Sequence, residues 1–478
     1  MRRAAIVLAL LATAGLFGPP AEASNGWAQR LRANRADPDS LLALGREAAA
    51  AGRTGDAIRA YEAAERSPAR RSRARAALAY QYAWAGRLGA ARSAFSDALR
   101  EHPADYDLRM GALLVRNWMG NHLAASRGYT ALAAEFPGRP GPRVGRAKAF
   151  QYLGRRDLAL AETRAALTLN PGDRDARDLA ADLRRGLRPT AGAYYDGSED
   201  SDHYRVNGGW FEATLHPHPQ LSVAPFLNRI GIRRAGTDPI DETWVGLTAA
   251  GRPATRLGAR ARLAVLTDRP SGATYVPVTG DAGLGWRLSD RAELGLSASR
   301  FAVVSYRTWP EKITGETWGG YVAIRPQWRT TVRLDGDRAL YAPVRGFAAN
   351  HRWNLRLAAS REVWAPARLH LGATGRYLDF EHDQDNGTWT PRRFRAGAAT
   401  AAWSYGPRDR WSIGGSAELG AAREGTGRTT LYAAWRIVAW RVMGPLAVEI
   451  TAGHSEGNVE TGNGYDRSYA HLGVRRRF

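Results

Sequence analysis

The stretch SYAHLGVRRRF, residues 468–478, closes the chain on an alternating pattern and an aromatic residue, Phe478, with no polar tail after it. The last residues of a soluble domain are usually loose and polar. Here Ala470, Leu472, Val474 and Phe478 recur at every second or fourth position, which is the period of a strand with one apolar face. A strand that stops on an aromatic residue points to a sheet that needs that residue, and the question is which sheet.

The same texture fills the second half of the chain. Examples are LGARARLAVL (257–266), AELGLSAS (292–299), RWNLRLAA (352–359), LHLGATGRY (369–377), RWSIGGSAEL (410–419), TLYAAWRIVAW (430–440) and LAVEITAG (446–453). Short connections (HPHPQ, RPATR, LSDR, RPQ, WAPAR, GPRDR, MGP) alternate with longer polar ones, among them RRAGTDPIDE, TDRPSGATY and EHDQDNGTWTPRR. Counted through YDGSEDSDH, the runs number sixteen. An even count with short turns on one side and long loops on the other predicts an outer-membrane barrel with both ends in the periplasm.

The faces separate in the same way. Leu, Val, Ile, Trp and Ala lie on one parity, while a β-sandwich would carry large aliphatic residues on its inner face. The other parity holds the expected lumen wall: Arg260, Arg262, Arg352, Arg356, Arg376, Arg436 and Arg475 with Glu212, Asp281, Glu293, Glu418 and Glu449. Trp210, Trp403 and Trp440 are assigned to that face too. The candidate substrate path is Trp210, Glu212, Arg260, Arg262, Arg352, Arg356, Glu418, Arg436 and Glu449. Trp244, Trp286, Trp328, Trp364 and Trp411, at run ends, are expected in interfacial girdles. In this setting HLGVRRRF resembles the β-signal read by the barrel insertion machinery, with His471, Gly473 and Phe478 at its stations; Arg476 stands where a hydrophobic residue is usual.

At the other end, MRRAAIVLALLATAGLFGPPAEA has two arginines, an apolar run from Ala4 to Phe17, a Gly-Pro-Pro break and the small-x-small triplet Ala21-Glu22-Ala23. That is the layout of a secretory signal peptide over residues 1–23, with Ser24 as the first mature residue. The apolar run is too short to span a bilayer, which takes roughly 20 residues as a helix. There is no cysteine, so no disulfide and no lipid anchor on cysteine. The net charge is +22, yet of 68 basic residues only Lys148 and Lys312 are lysine. Such a bias reflects arginine-rich composition and solvated faces, and nucleic acid is not an expected partner.

Residues 24–188 carry a repeat. Gly52, Gly86, Gly120 and Gly154 follow one another by 34 residues, as do Ala57, Ala91, Ala125 and Ala159. Pro103, Pro137 and Pro171 keep the period, and four residues after each alanine stand Tyr61, Phe95, Tyr129 and Thr163. This resembles the tetratricopeptide repeat, two antiparallel helices per 34 residues. The glycine ends the first helix, the alanine admits the second at close range, and the proline stops it. Leu41, Leu44, Gly45, Leu78, Ala79 and Tyr82 are expected to point inward; Arg109, Arg116 and Lys148 fall at or near the same stations in later repeats. A helix from about Asp173 to Arg185 is expected to cap the stack.

The fold expected is therefore multidomain α + β: an N-terminal α-solenoid of tetratricopeptide repeats followed, over residues 189–478, by a transmembrane antiparallel β-barrel of about sixteen strands. This architecture resembles the outer-membrane exporters of exopolysaccharide, such as those for cellulose and poly-N-acetylglucosamine. The resemblance implies a barrel that is the pore and a periplasmic scaffold that binds protein partners or emerging polymer. Surface lipoprotein assembly modulators share the plan, and fourteen strands would favour them; a receptor or adhesin on a barrel anchor is the third alternative. No catalytic residue, metal or cofactor is expected. Asp379, Glu381, Asp383 and Asp385 read as solvated loop charge, and His216 and His218 lack the further ligands of a zinc site.

Overall fold

The computed structural model describes residues 22–34, 36–201, 203–267, 278–303, 313–343, 348–384, 389–407, 410–456 and 466–478. The expected signal peptide, apart from its last residues, and Asp385 lie outside them. The chain forms two compact units, Met1–Met119 and Gly120–Phe478.

Ten helices are described: α1 Glu22–Ala33, α2 Pro38–Ala50, α3 Thr54–Glu65, α4 Arg71–Trp84, α5 Leu88–Glu101, α6 Tyr106–Trp118, α7 His122–Glu135, α8 Gly141–Tyr152, α9 Arg156–Leu169 and α10 Arg174–Arg185. The ladder glycines Gly52, Gly86, Gly120 and Gly154 all stand at positive φ, between 70° and 82°. That conformation is nearly free for glycine and strained for other residues. After it the next amide reaches back to close the helix: Arg53 N to Ala48 O at 2.8 Å, Arg87 N to Tyr82 O at 2.8 Å, Arg155 N to Phe150 O at 2.9 Å. Ala57, Ala91, Ala125 and Ala159 are fully buried.

Glycine also admits the aromatic of the second helix. A Cβ on Gly45 would collide with the ring of Tyr61, one on Gly111 with Phe95, one on Gly145 with Tyr129. The inward stations of α6 and α8 are thus Leu108, Gly111 and Val115, then Val144, Gly145 and Ala147. Arg109 and Lys148 are only half-buried and Arg116 is exposed; Lys148 pairs with Asp175 at 2.9 Å. Tyr82 is half-buried, its hydroxyl donating to Glu62. α1, which the 34-residue pattern does not contain, seals the first repeat with Trp27. α10 ends the series, capped by Asp173, whose carboxylate accepts from Ala176 N at 2.8 Å.

Sixteen strands follow: β1 Thr190–Asp200, β2 Arg205–His218, β3 Leu221–Arg233, β4 Ile240–Ala254, β5 Leu257–Leu266, β6 Val278–Arg287, β7 Ala292–Val303, β8 Ile313–Ile324, β9 Thr330–Tyr341, β10 Asn350–Trp364, β11 Leu369–Phe380, β12 Phe394–Tyr405, β13 Trp411–Arg423, β14 Thr430–Met443, β15 Leu446–Ser455 and β16 Arg467–Arg477. Each pairs antiparallel with its neighbours, and β16 closes on β1 from Thr190 opposite Arg477 to Asp200 opposite Arg467. Full closure leaves no strand edge, as a membrane-spanning sheet requires.

One parity forms an exposed apolar belt, including Leu247, Leu263, Leu296, Val322, Leu355, Leu419, Ile450 and Leu472. The nine candidate path residues occupy the other parity, turned to the interior. Two tryptophans depart from expectation. Trp403 pairs with Gly415, whose own partner is Ile437, so it stands on the outer row. Trp244 is on the inner row and buried, its indole donating to Glu242 at 2.9 Å. Tryptophan suits either face, and only the register decides. Trp286, Trp364 and Trp411 are exposed on the outside. Toward the long loops the inner wall is apolar in two patches, Phe226–Trp244–Ala264–Leu266 and Leu378–Phe380–Phe394–Ala422–Tyr432.

Candidate functional site

The inner wall of β5–β10 is a run of charge pairs set by the alternation. Arg260 lies 3.7 Å from Asp281 and Arg287 3.9 Å from Glu293. The Tyr321 hydroxyl donates to Glu293 at 2.5 Å. Arg333 forks onto Asp335 at 2.6 to 2.9 Å while its guanidinium lies 3.7 Å over the Tyr321 ring. Arg352 pairs with Asp337, which also accepts from Asn354 at 2.6 Å. Arg262 sits 4.4 Å over the Phe226 ring. Arg356 stands directly opposite Arg376, an unfavourable like-charge pair.

The other candidates are elsewhere on the wall. At the seam Tyr194 stacks on Trp210 at 4.6 Å and on His471 at 5.8 Å; its hydroxyl donates to Glu212 and accepts from Arg475. Gly192 and Gly473 leave room for that ring, since a Cβ on either would meet it within 2.8 Å. Glu418 accepts from the Tyr432 hydroxyl at 2.7 Å, Arg436 stands opposite Gly453, and Glu449 opposite Trp440. The nine residues are therefore spread around the ring rather than gathered in one place.

Helices α7–α9 contact the short turns of the barrel. Asp290, between β6 and β7, accepts from the amides of Leu123 and Ala124 in the first turn of α7. Arg155 donates to Thr255 at 3.0 Å, and Gln220 donates to Asp157. Arg252 lies against Gly154 where any side chain would clash, and Arg325 stands 2.9 Å from the Cβ position of Gly120. Burial pushes the Asp157 carboxyl up, but hydrogen bonds from Arg155 and Gln220 outweigh it and carry it down to about 2. Burial lowers His122, stacked on Tyr152 at 4.9 Å, to about 4.

Under these helices is a chamber of about 730 Å³, lined from the repeat side by Gln151, Gly154 and Arg156 and from the barrel by residues of β2–β9 and the turn between β2 and β3. Of the candidate path residues, Arg260 alone lines it. Sequence reasoning did not single out Arg252, Arg287, Tyr321, Arg333, Asp335, Asp337 or Asp290. The first signal for three of them is the alternation in TTVRLDGDRALY (330–341). It also passed over an aromatic ladder on the repeat period, Trp84, Trp118 and Tyr152, in which Trp84 and Tyr152 are exposed and Trp84 meets Trp118 edge-on at 5.2 Å.

His216 turns to Arg156, and the ring of His218 accepts from Gln220 N. Asp379 accepts from Arg393 N and the Tyr377 hydroxyl. No cluster of three metal-ligating side chains occurs among the described residues.

Helix pairs on a 34-residue period, joined to a closed sixteen-stranded antiparallel barrel with an apolar exterior and a polar wall, define the class: a tetratricopeptide-repeat outer-membrane β-barrel protein. No model of a known protein family matches the chain, and no curated protein matches it. Among solved structures it is similar to a bacterial polysaccharide outer membrane secretin (12% identity, TM-score 0.47, 60% of this chain and 98% of that one). It is also similar to a thermophilic TPR protein of Thermus thermophilus (25% identity, TM-score 0.29, 33% of this chain and 87% of that one). A tetratricopeptide repeat protein from Parabacteroides merdae matches at 18% identity and TM-score 0.27, over 31% of this chain and 59% of that one.

Proposed function

We propose that this protein is an outer-membrane export porin for an exopolysaccharide, with residues 24–188 as a periplasmic scaffold and residues 189–478 as the pore. The observation that carries this reading is the seating of α7–α9 on the short turns, over a chamber that opens on a wall of arginine, carboxylate and tyrosine side chains. In bacterial barrels the short turns face the periplasm. A chain entering there meets the repeats first and then a hydrogen-bonding wall suited to hydroxyl groups.

The signal peptide of residues 1–23 and the β-signal at Gly473 and Phe478 fit export and insertion by the barrel machinery. Polymer or periplasmic proteins are the partners of the repeats. Fourteen strands would favour lipoprotein translocation, and the barrel has sixteen. The test is deletion of the gene in its native host. Export predicts loss of a secreted polymer with surface lipoproteins in place. Retained polymer with a lipoprotein trapped in the periplasm would overturn it.

A further inference from the structure

We propose that the chamber under α8 and α9 binds carboxylate groups, so that the polymer admitted is an acidic polysaccharide. This rests on the export reading above and adds the chemistry of the cargo.

The argument is charge compensation. Five arginines line the chamber: Arg156, Arg252, Arg260, Arg287 and Arg333. Its acids are Glu293, Asp335 and Asp337. Each is already engaged: Asp335 by Arg333, Asp337 by Arg352 and Asn354, Glu293 by the Tyr321 hydroxyl. Arg287 is the telling case. Its side chain is 12% exposed, its nearest carboxylate oxygen is at 3.9 Å, and its Nε and Nη1 have no hydrogen-bond acceptor.

A cation held that far from water needs a counter-charge. Arg156 has no carboxylate at this point; its guanidinium faces the neutral ring of His216, 3.4 Å from Nε2. Arg333 is matched by Asp335, Arg260 by Asp281 at 3.7 Å, and Arg287 only loosely by Glu293 at 3.9 Å, so the excess charge of the wall rests on Arg156 and Arg252 and its unmet donors on Arg287. A neutral glycan would hydrogen-bond there and leave the charge uncompensated. A uronate supplies a planar carboxylate that an arginine fork matches.

The test is calorimetric titration of the full-length protein in detergent micelles with trigalacturonate, cellotriose and sodium sulfate at low salt. Trigalacturonate is expected to bind at least about tenfold more tightly than cellotriose, and to weaken as salt rises. The double variant Arg252→Gln/Arg260→Gln, whose Arg260 is largely exposed and so does not threaten folding, should lose about tenfold; Arg287→Gln should lose more, with heat-modifiable migration reporting that the barrel still forms. Equal binding of cellotriose, binding of neither oligomer, sulfate matching trigalacturonate, or an unchanged double variant would each overturn the inference. A deletion strain that lost a neutral polymer would still leave export standing, so the two readings fail separately.

Discussion

Asp290 caps a helix to which it is not joined: its two carboxylate oxygens accept from the amides of Leu123 at 2.8 Å and Ala124 at 2.9 Å, although 167 and 166 residues separate them in the chain. Asn121, the local cap position of α7, makes no such side-chain bond. The first amides of a helix need acceptors, and a carboxylate there also meets the positive end of the helix dipole. Asp290→Ala is expected to weaken the seating of α7 by roughly 1–2 kcal/mol. Limited proteolysis should then cut the helical segment faster, while the barrel keeps its heat-modifiable mobility. Unchanged proteolysis would mean that the cap carries no weight.

Overpacking tests the repeat stations. Ala91 and Ala125 have no accessible surface, and Ala91→Trp or Ala125→Trp has nowhere to place a ring. Each should destabilise its helices by about 1–3 kcal/mol. Loss of helical ellipticity at a lower temperature, with the β signal retained, is the expected result.

The seat of α7–α9 is also expected to depend on pH. His122 has a folded pKa of about 4 against about 6.5 in an unfolded chain. Between those values the loosened state binds the proton, so the contribution of the neutral ring is complete above about pH 6.5 and is lost as pH falls toward 4. Asp157 has a folded pKa of about 2, so its contribution holds above about pH 4 and disappears below. The helical melting temperature should therefore drop in two stages on acidification. His122→Phe should flatten the first stage only.

Barrel closure is testable at the seam. The Phe478 amide donates to Pro189 O at 3.0 Å, and Gly473 leaves the space that Tyr194 fills. Deletion of Phe478 should reduce assembled barrel in the membrane fraction. Gly473→Val should do so more severely, because the Cβ would meet the Tyr194 ring at 2.8 Å. Normal levels of heat-modifiable barrel in both would refute this account of the chain's ending.

Much of this architecture is legible in the sequence. Period two over runs of about ten residues marks strands whatever they pair with, and the glycine ladder marks a turn whose φ only glycine holds easily, so strand number and helix turns came through. Trp403 and Trp244 did not, because tryptophan is at home on a lipid face and in an apolar wall patch alike. The chamber was out of reach for a different reason. Arg155 meets Thr255, and Gly154 meets Arg252, across about 100 residues, and no local period encodes such a meeting. The ladder Trp84, Trp118 and Tyr152 was legible and overlooked, lying on the very period that defined the repeat.

Arg352 and Arg356 are two residues of one strand face with different surroundings, and charge reversal should separate them. Arg352 is held by Asp337, with Tyr341 accepting from it at 3.2 Å, so Arg352→Glu would set a carboxylate against Asp337 and leave that acid without its cation. Removing one partner of a poorly hydrated pair is strongly destabilising. Arg356 instead faces Arg376 across β10 and β11, and Arg356→Glu replaces a repulsion with an attraction. Fixed charges lining a pore set its ion preference. Purified protein carrying Arg356→Glu, in a planar bilayer under a potassium chloride gradient, should therefore shift its reversal potential toward cation selectivity with barrel yield intact. Arg352→Glu should lower the yield of folded barrel first. Wild-type yields and wild-type reversal potentials for both variants would show that the wall charges neither brace the barrel nor face the ion path.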